Sequence, residues 1–204
     1  MYFTNQNKFF HGIMFHHFHD DKIHLKAQGS ISKDEFYKLI KFIGREKILN
    51  SEEFLNRFKE NKLKEKDLCL TFDDSLGCQY DIALPVLEEL NIKSFFFVNS
   101  SVFTENPDLL EVNRYFRINY FKNVNEFYDN FFRIYGKSLN KYFIENESKV
   151  KELKKKFPFY SFEDIKFRLV RDNILNQNEY QNLMFKMFKE KKFNAKEFYN
   201  ILFI

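Results

Sequence analysis

Two short apolar runs separated by one helix's worth of chain set the tightest limit on how this sequence can fold. The first is Leu68-Cys69-Leu70-Thr71-Phe72, apolar but for Thr71, and it ends in the adjacent carboxylates Asp73 and Asp74. The second is Lys93-Ser94-Phe95-Phe96-Phe97-Val98. Short apolar runs bounded by turn signals read as buried strands. Between them, Ser75 to Gln79 reads as a turn and Tyr80 to Leu90 as a helix, with Pro85 tolerable only near its first turn. A strand, a helix and a strand over about 30 residues form a right-handed crossover, so the two strands are expected to be parallel with their carboxyl ends on one face. Ligands gather at that end of α/β sheets because several loops converge there. Adjacent carboxylates repel, and a cation or a shared proton offsets the repulsion. The plainer alternative is a pair of solvated turn residues capping the next helix.

At 204 residues the chain has room for one domain with a sizeable core, or a core with an appendage. Its 29 phenylalanines, with no tryptophan, are expected to fill that core rather than form a recognition surface. The net charge of +4 is spread among mixed signs. The densest basic run, Lys151 with Lys154, Lys155 and Lys156, precedes Phe157-Pro158 and suits a helix end, which argues against nucleic-acid binding. Only Cys69 and Cys78 are present, with neither a disulfide framework nor a metal-type spacing, as suits a reducing compartment. The first residues, Met1 to Lys8, lack the pattern of a signal peptide, and no apolar run is long enough to cross a bilayer. These features lead to the expectation of a cytoplasmic protein.

Phe9 to Phe15 reads as another buried strand, leading into His16-His17-Phe18-His19-Asp20-Asp21. All five histidines fall between positions 11 and 24. Imidazole is a common metal ligand, but the spacing fits no helical or turn-based site, so most are expected to be loop residues. His16 is the exception: it stands where the first strand should end, on the rim of the acidic pair if the strands are parallel. Ser32 and Glu35 have the form of a capping box before a helix bearing Phe36, Leu39, Ile40 and Ile43, and Gly44 ends that helix. A short strand is expected at 47–49, and a helix opening at Asn50 carries Phe54, Leu55 and Phe58.

From about residue 105 the pattern becomes wholly helical. Helices are expected near 108–118, 124–135, 138–156, 161–172, 176–190 and 194–202, with starts at Ser161 with Asp164, Asn176 with Glu179, and Asn194 with Glu197. The expected division is an α/β domain over 1–104 and a helical region over 105–204.

Thr71-Phe72-Asp73-Asp74-Ser75, followed by the Pro85-Val86-Leu87 helix and the strand Ser94 to Val98, resembles the first catalytic motif of the polysaccharide deacetylases with a NodB-homology domain. Met14-Phe15-His16-His17 is similar to the Tyr-His strand end near the N-terminus of many members. The resemblance covers about residues 9 to 104. It implies a partial distorted (β/α) barrel, hydrolytic removal of acetyl groups from an N-acetylated carbohydrate, and a divalent metal, usually zinc. Carried over residue by residue, it makes Asp73 the general base and Asp74 a metal ligand, with His16 and His17 as site-lining residues.

The sequence also departs from that family. The family's second motif, His-x-x-x-His, lies after the first, and no histidine follows His24 here. The later motifs bearing a positioning arginine and a general-acid histidine are not recognisable either. Catalytic zinc normally takes three protein ligands. Low or no activity is therefore expected of this chain alone, as for the front part of an interrupted deacetylase. The alternatives are a glycan-binding or interaction module that keeps the fold fragment, or another chemistry for the two aspartates. A receiver-like domain also carries an acidic pair at a strand end, but it needs alternating strands after residue 105. An incomplete barrel leaves a sheet edge open, so the helices after 105, self-association or a partner is expected to cover it.

Overall fold

A computed structural model of the chain describes residues 11–27, 29–104 and 108–202. Phe9 and Phe10 of the first expected strand, the N-terminal stretch before them, and Phe203 and Ile204 lie outside the described residues. The chain divides into two compact units, residues 1–108 with 197–204, and residues 109–196.

The first unit is built on a parallel sheet of β1 (His11–Phe15), β4 (Leu68–Asp73) and β5 (Phe95–Phe97), in the order β1-β4-β5. Phe15 lies opposite Phe72 and Asp73 opposite Phe97, so all three strands end together, as the crossover spacing requires. The described residues form a mixed α/β structure, mostly helical with this small sheet, and no closed barrel is formed among them.

Side chains alternate across a strand, and here the alternation sorts core from site. Phe15, Leu70 and Phe72 face a core completed by Phe36 and Ile40 of α1 (Lys33–Ile43) and Val86 and Leu87 of α3 (Leu84–Glu89). The ring of Phe36 meets that of Phe15 edge-on at 5.0 Å, and Phe72 stacks on Phe96 at 4.7 Å. The intervening residues, Met14, Thr71 and Asp73, line a depression instead.

Helix α1 has the capping box read from the sequence: Glu35 N–H donates to Ser32 Oγ at 3.2 Å, and Ser32 N–H to Glu35 Oε2 at 2.7 Å. Gly44 follows with φ of 94°, a backbone region that glycine adopts without steric cost.

Several expectations need correction. Residues 47–49 are not a strand: Arg45–Lys47 is a 3-10 turn, and only Ile48 bridges to Leu68. Arg45 accounts for this, since its guanidinium donates to the carbonyls of Ile48, Leu90 and Asn91 and holds the chain in a bend. Asn50 precedes α2 (Ser51–Lys59), but its side chain accepts from Lys93 N–H instead of capping the helix. The helix expected over 80–90 begins as a wider π-turn, Gln79–Ala83, before α3, because Pro85 has no N–H to extend a regular helix backwards. Most of the histidines lie outside regular elements, as expected, but His19 does not. His19 is buried in a two-residue strand, β2 (Phe18–His19), paired parallel with β3 (Ile31–Ser32), and its Nδ1 meets Ser30 Oγ at 3.0 Å. His24 Nε2 lies 2.7 Å from Asp81 Oδ2.

The second unit contains α4 (Leu110–Asn119), α5 (Val124–Tyr135), α6 (Asn140–Glu145), α7 (Glu147–Lys156), α8 (Phe162–Asn173) and α9 (Gln177–Glu190). A last helix, α10 (Ala195–Leu202), follows. The single helix expected over 138–156 is broken at Asn146, whose amide donates to Tyr142 O, the local side-chain bonding that makes asparagine a poor helix interior residue. Phe116, Phe127, Phe131 and Phe167 are fully buried here, and Phe131 and Phe167 pack edge-on at 4.9 Å.

Among these rings lies a buried carboxylate, Asp164. It accepts hydrogen bonds from Tyr128 Oη and, at 3.0 Å, from Arg168 Nε. Burial, and then the bond to Asp164, push the Tyr128 phenol well above its ordinary pKa.

Candidate active site at the carboxyl end of the sheet

Because β1 and β4 are parallel and in register, the residue after β1 and the last residue of β4 emerge side by side. His16 Nε2 lies 3.7 Å from Asp73 Oδ2 and 3.8 Å from Asp74 Oδ2. Each of the three side chains is about a third exposed. These separations are too long for direct hydrogen bonds, yet short enough for one water molecule to touch both His16 and a carboxylate. His17 stacks beside His16 with ring centroids 5.9 Å apart.

Two features hold the strand ends in place. After Asp73 the chain turns through Asp74 and Ser75 in consecutive left-handed conformations, φ of 75° and 54°. Such a conformation costs a non-glycine residue roughly 1–2 kcal/mol. It is sustained from below by Gln79, whose buried amide donates to His16 O at 2.9 Å and to Asp73 O at 2.6 Å. One side chain thus ties the two strands at the points where the site residues leave them. The thiol of Cys78 adds a third link, accepting from Phe18 N–H at 3.4 Å. Sequence reasoning did not single out Gln79. Its only sequence signal is a polar residue one turn past an acidic strand end.

The depression above the sheet has a volume of about 480 Å³ and is lined by Met14, Thr71, Asp73, Asp74, Phe97, Val98 and Asn99. Its carboxylates therefore stand beside exposed apolar surface from Met14, Phe97 and Val98. Water, an amide and a small alkyl group can meet there within reach of a base.

Residues 60–116 match the polysaccharide deacetylase family model. No curated protein and no solved structure matches the chain. The deacetylase match covers less than half of the chain. It contains β4, both aspartates, Gln79, α3 and β5 and runs into α4, while β1 and His16 fall outside it. Asp73 and Asp74 are thus the candidate site residues that lie within the matched segment.

Among the described residues, no group of three or more His, Cys, Asp or Glu side chains is placed to hold a metal ion. The Asp73 and Asp74 carboxylates both approach His16, and His19 and His24 are engaged elsewhere. Neither is a helix of the described residues long and apolar enough to cross a membrane.

Proposed function

We propose that this chain carries the acid-base half of a carbohydrate N-deacetylase site, acting on an N-acetylated sugar at the carboxyl end of the sheet. The observation that carries the reading is the convergence of Asp73 and Asp74, which lie within the segment that matches the deacetylase family, with His16 from β1's end at one rim. In the reaction, water oxygen bonds to the acetyl carbonyl carbon, the carbon–nitrogen bond breaks, and the amine nitrogen gains a proton, giving acetate and a free amino sugar. Asp73 accepts the proton of the attacking water, and His16, 3.7 Å away, orients that water. Met14, Phe97 and Val98 give the acetyl methyl an apolar seat. His17, beside His16, lines the approach.

The family's divalent metal, zinc in most members, would have Asp74 as its ligand, with the His16 imidazole 3.8 Å from that carboxylate. Catalytic zinc takes three protein ligands. The described residues supply no such set, so they do not fit a catalytic zinc and no step is assigned to a metal. Without that electrophile, the carbonyl lacks the polarisation that accounts for much of the rate of amide hydrolysis. Turnover by this chain alone is therefore slow. The same shortage favours a second reading, a glycan-binding module without turnover.

Acetate release from an N-acetylated oligosaccharide, measured with and without added zinc, tests the proposal. Slow release that is lost in a folded Asp73→Asn variant supports it, and release unchanged by that substitution overturns it. Binding of the oligosaccharide with no acetate released selects the second reading.

A further inference from the structure

The helical unit holds a second hollow, unconnected with the acid-base chemistry. It lies between α7 and α8, has a volume of about 330 Å³, and is walled by Leu153, Ile165 and Leu169 with the rings of Phe157 and Tyr160. Its polar rim is formed by Lys149, Asp172 and Asn173, with Arg168 beside Tyr160.

The charges around this hollow are mostly compensated within the protein. Arg168 Nε donates to Asp164 at 3.0 Å while its guanidinium lies 4.0 Å over the Tyr160 ring. Asp172 accepts from Arg171 Nε at 2.6 Å and from its Nη2 at 3.0 Å. Lys149 Nζ reaches Asn173 Oδ1 at 3.4 Å. An anion would meet the Asp172 carboxylate, and a wholly apolar ligand would strip water from the rim without replacing its hydrogen bonds. The surroundings suit a neutral molecule with one apolar face and one edge of mixed donors and acceptors. A pyranose ring has that construction, with axial C–H groups on its face and hydroxyls or an acetamide at its edge. The volume lies at the lower end of the range for small-molecule pockets, enough for one ring.

The turn that supplies the aromatic wall is firmly held. Lys154 Nζ donates to Pro158 O at 2.8 Å and to Tyr160 O at 2.5 Å, so part of the basic run read from the sequence serves to fasten this turn. Phe159, its ring 4.5 Å from Tyr160, is exposed beside the hollow, as is Phe162. These rings extend the apolar surface beyond a single sugar unit.

We propose that the hollow between α7 and α8 binds one pyranose unit of an N-acetylated glycan, making the helical unit a second carbohydrate contact distinct from the strand-end site. The sugar class rests on the deacetylase reading, whereas the hollow's preference for a neutral ring does not.

The test titrates the full chain with a β-1,4-linked N-acetylglucosamine trisaccharide, followed by saturation-transfer NMR and calorimetry. Tyr160→Leu is expected to weaken binding about tenfold and Lys149→Ala about threefold, the scale of a lost packed ring and a lost rim hydrogen bond. Lys149 is exposed, so its variant keeps the test valid if Tyr160→Leu fails to fold. In the Asp73→Asn, Asp74→Asn double variant, which removes the strand-end carboxylates, the binding that remains is expected to show the same losses on Tyr160→Leu and Lys149→Ala. Binding lost in that double variant but untouched by Tyr160→Leu and Lys149→Ala would assign the sugar to the strand ends and overturn the proposal. So would benzoate or phosphate occupying the hollow while the trisaccharide does not bind at all. Acetate release is measured separately, so failure of the deacetylase reading leaves this result interpretable.

Discussion

Asp73 and Asp164 are the same residue type in opposite situations, one in each unit. Asp164 is buried and takes hydrogen bonds from Tyr128 Oη and Arg168 Nε, while its own N–H donates to Ser161 Oγ. Asp73 is about a third exposed, and the imidazole nearest it stands 3.7 Å off. A carboxylate whose acceptor positions are taken by fixed donors holds its neighbours together and has little left to offer a substrate. One that faces a hollow with a base-sized gap beside it can exchange protons with what enters. Acidity alone therefore does not mark a site; the state of the surrounding donors does.

That contrast predicts very unequal costs of substitution. Asp164→Asn leaves the partly buried Arg168 guanidinium and the buried Tyr128 phenol without their charged partner, and the helical unit is expected to lose about 3–5 kcal/mol of stability. Asp73→Asn is expected to change stability by no more than about 0.5 kcal/mol, because nothing buried depends on its charge. Urea unfolding followed by circular dichroism measures both. Equal losses in the two variants would mean that Asp73 is as structural as Asp164, and the acid-base reading of the strand end would fail with it.

How much of this was legible in the sequence follows from the range of the interactions concerned. Strands β1, β4 and β5 are short apolar runs, and the crossover spacing makes them parallel, so His16 beside Asp73 could be read without coordinates. Capping boxes are local too, and those at Ser32 and Asn176 form as their spacing implies. At Ser161 the same spacing misleads in part: Asp164 N–H is capped, but its carboxylate turns to Tyr128, 36 residues away. No window of sequence carries that choice. The bend at Arg45 and the clamp by Gln79 fail to show for the same reason, since each joins backbone carbonyls on separate elements. A basic run read as a helix end also conceals a specific task, since Lys154 fastens the turn at Tyr160.

Gln79 sharpens the comparison from the other side, because it is a buried polar group that serves the exposed site. Gln79→Leu fits the volume but leaves the carbonyls of His16 and Asp73 without its two hydrogen bonds. The first unit is expected to lose about 2 kcal/mol, the usual cost of leaving a buried polar group unsatisfied. Gln79→Glu has the right reach but cannot donate while ionised, so it is expected to cost at least as much near neutral pH and less in acid. Urea midpoints of the two variants at neutral and acidic pH check this, and a harmless Gln79→Leu would mean that the register of β1 and β4 alone fixes the strand ends.

The smallest effect belongs to the cap of α1, whose helix backs the sheet that carries the site. Ser32→Ala is expected to cost about 1 kcal/mol, as for other N-caps. Its partner Glu35 gives that cap a pH dependence. Hydrogen bonds from the Ser32 backbone and side chain hold the Glu35 carboxyl below its ordinary range. A folded-state pKa below the unfolded one means that the unfolded chain binds the proton more readily. The contribution is therefore complete above the ordinary glutamate pKa and disappears as pH falls through the depressed value. Glu35→Gln can still accept from Ser32 N–H but does not titrate in this range. Its unfolding midpoint is expected to lie slightly below the parent's at neutral pH and to converge with it in acid. Parallel curves from neutral to acidic pH would show that the cap holds through geometry alone, leaving the carboxylates at the strand ends as the part of this unit in which charge has work to do.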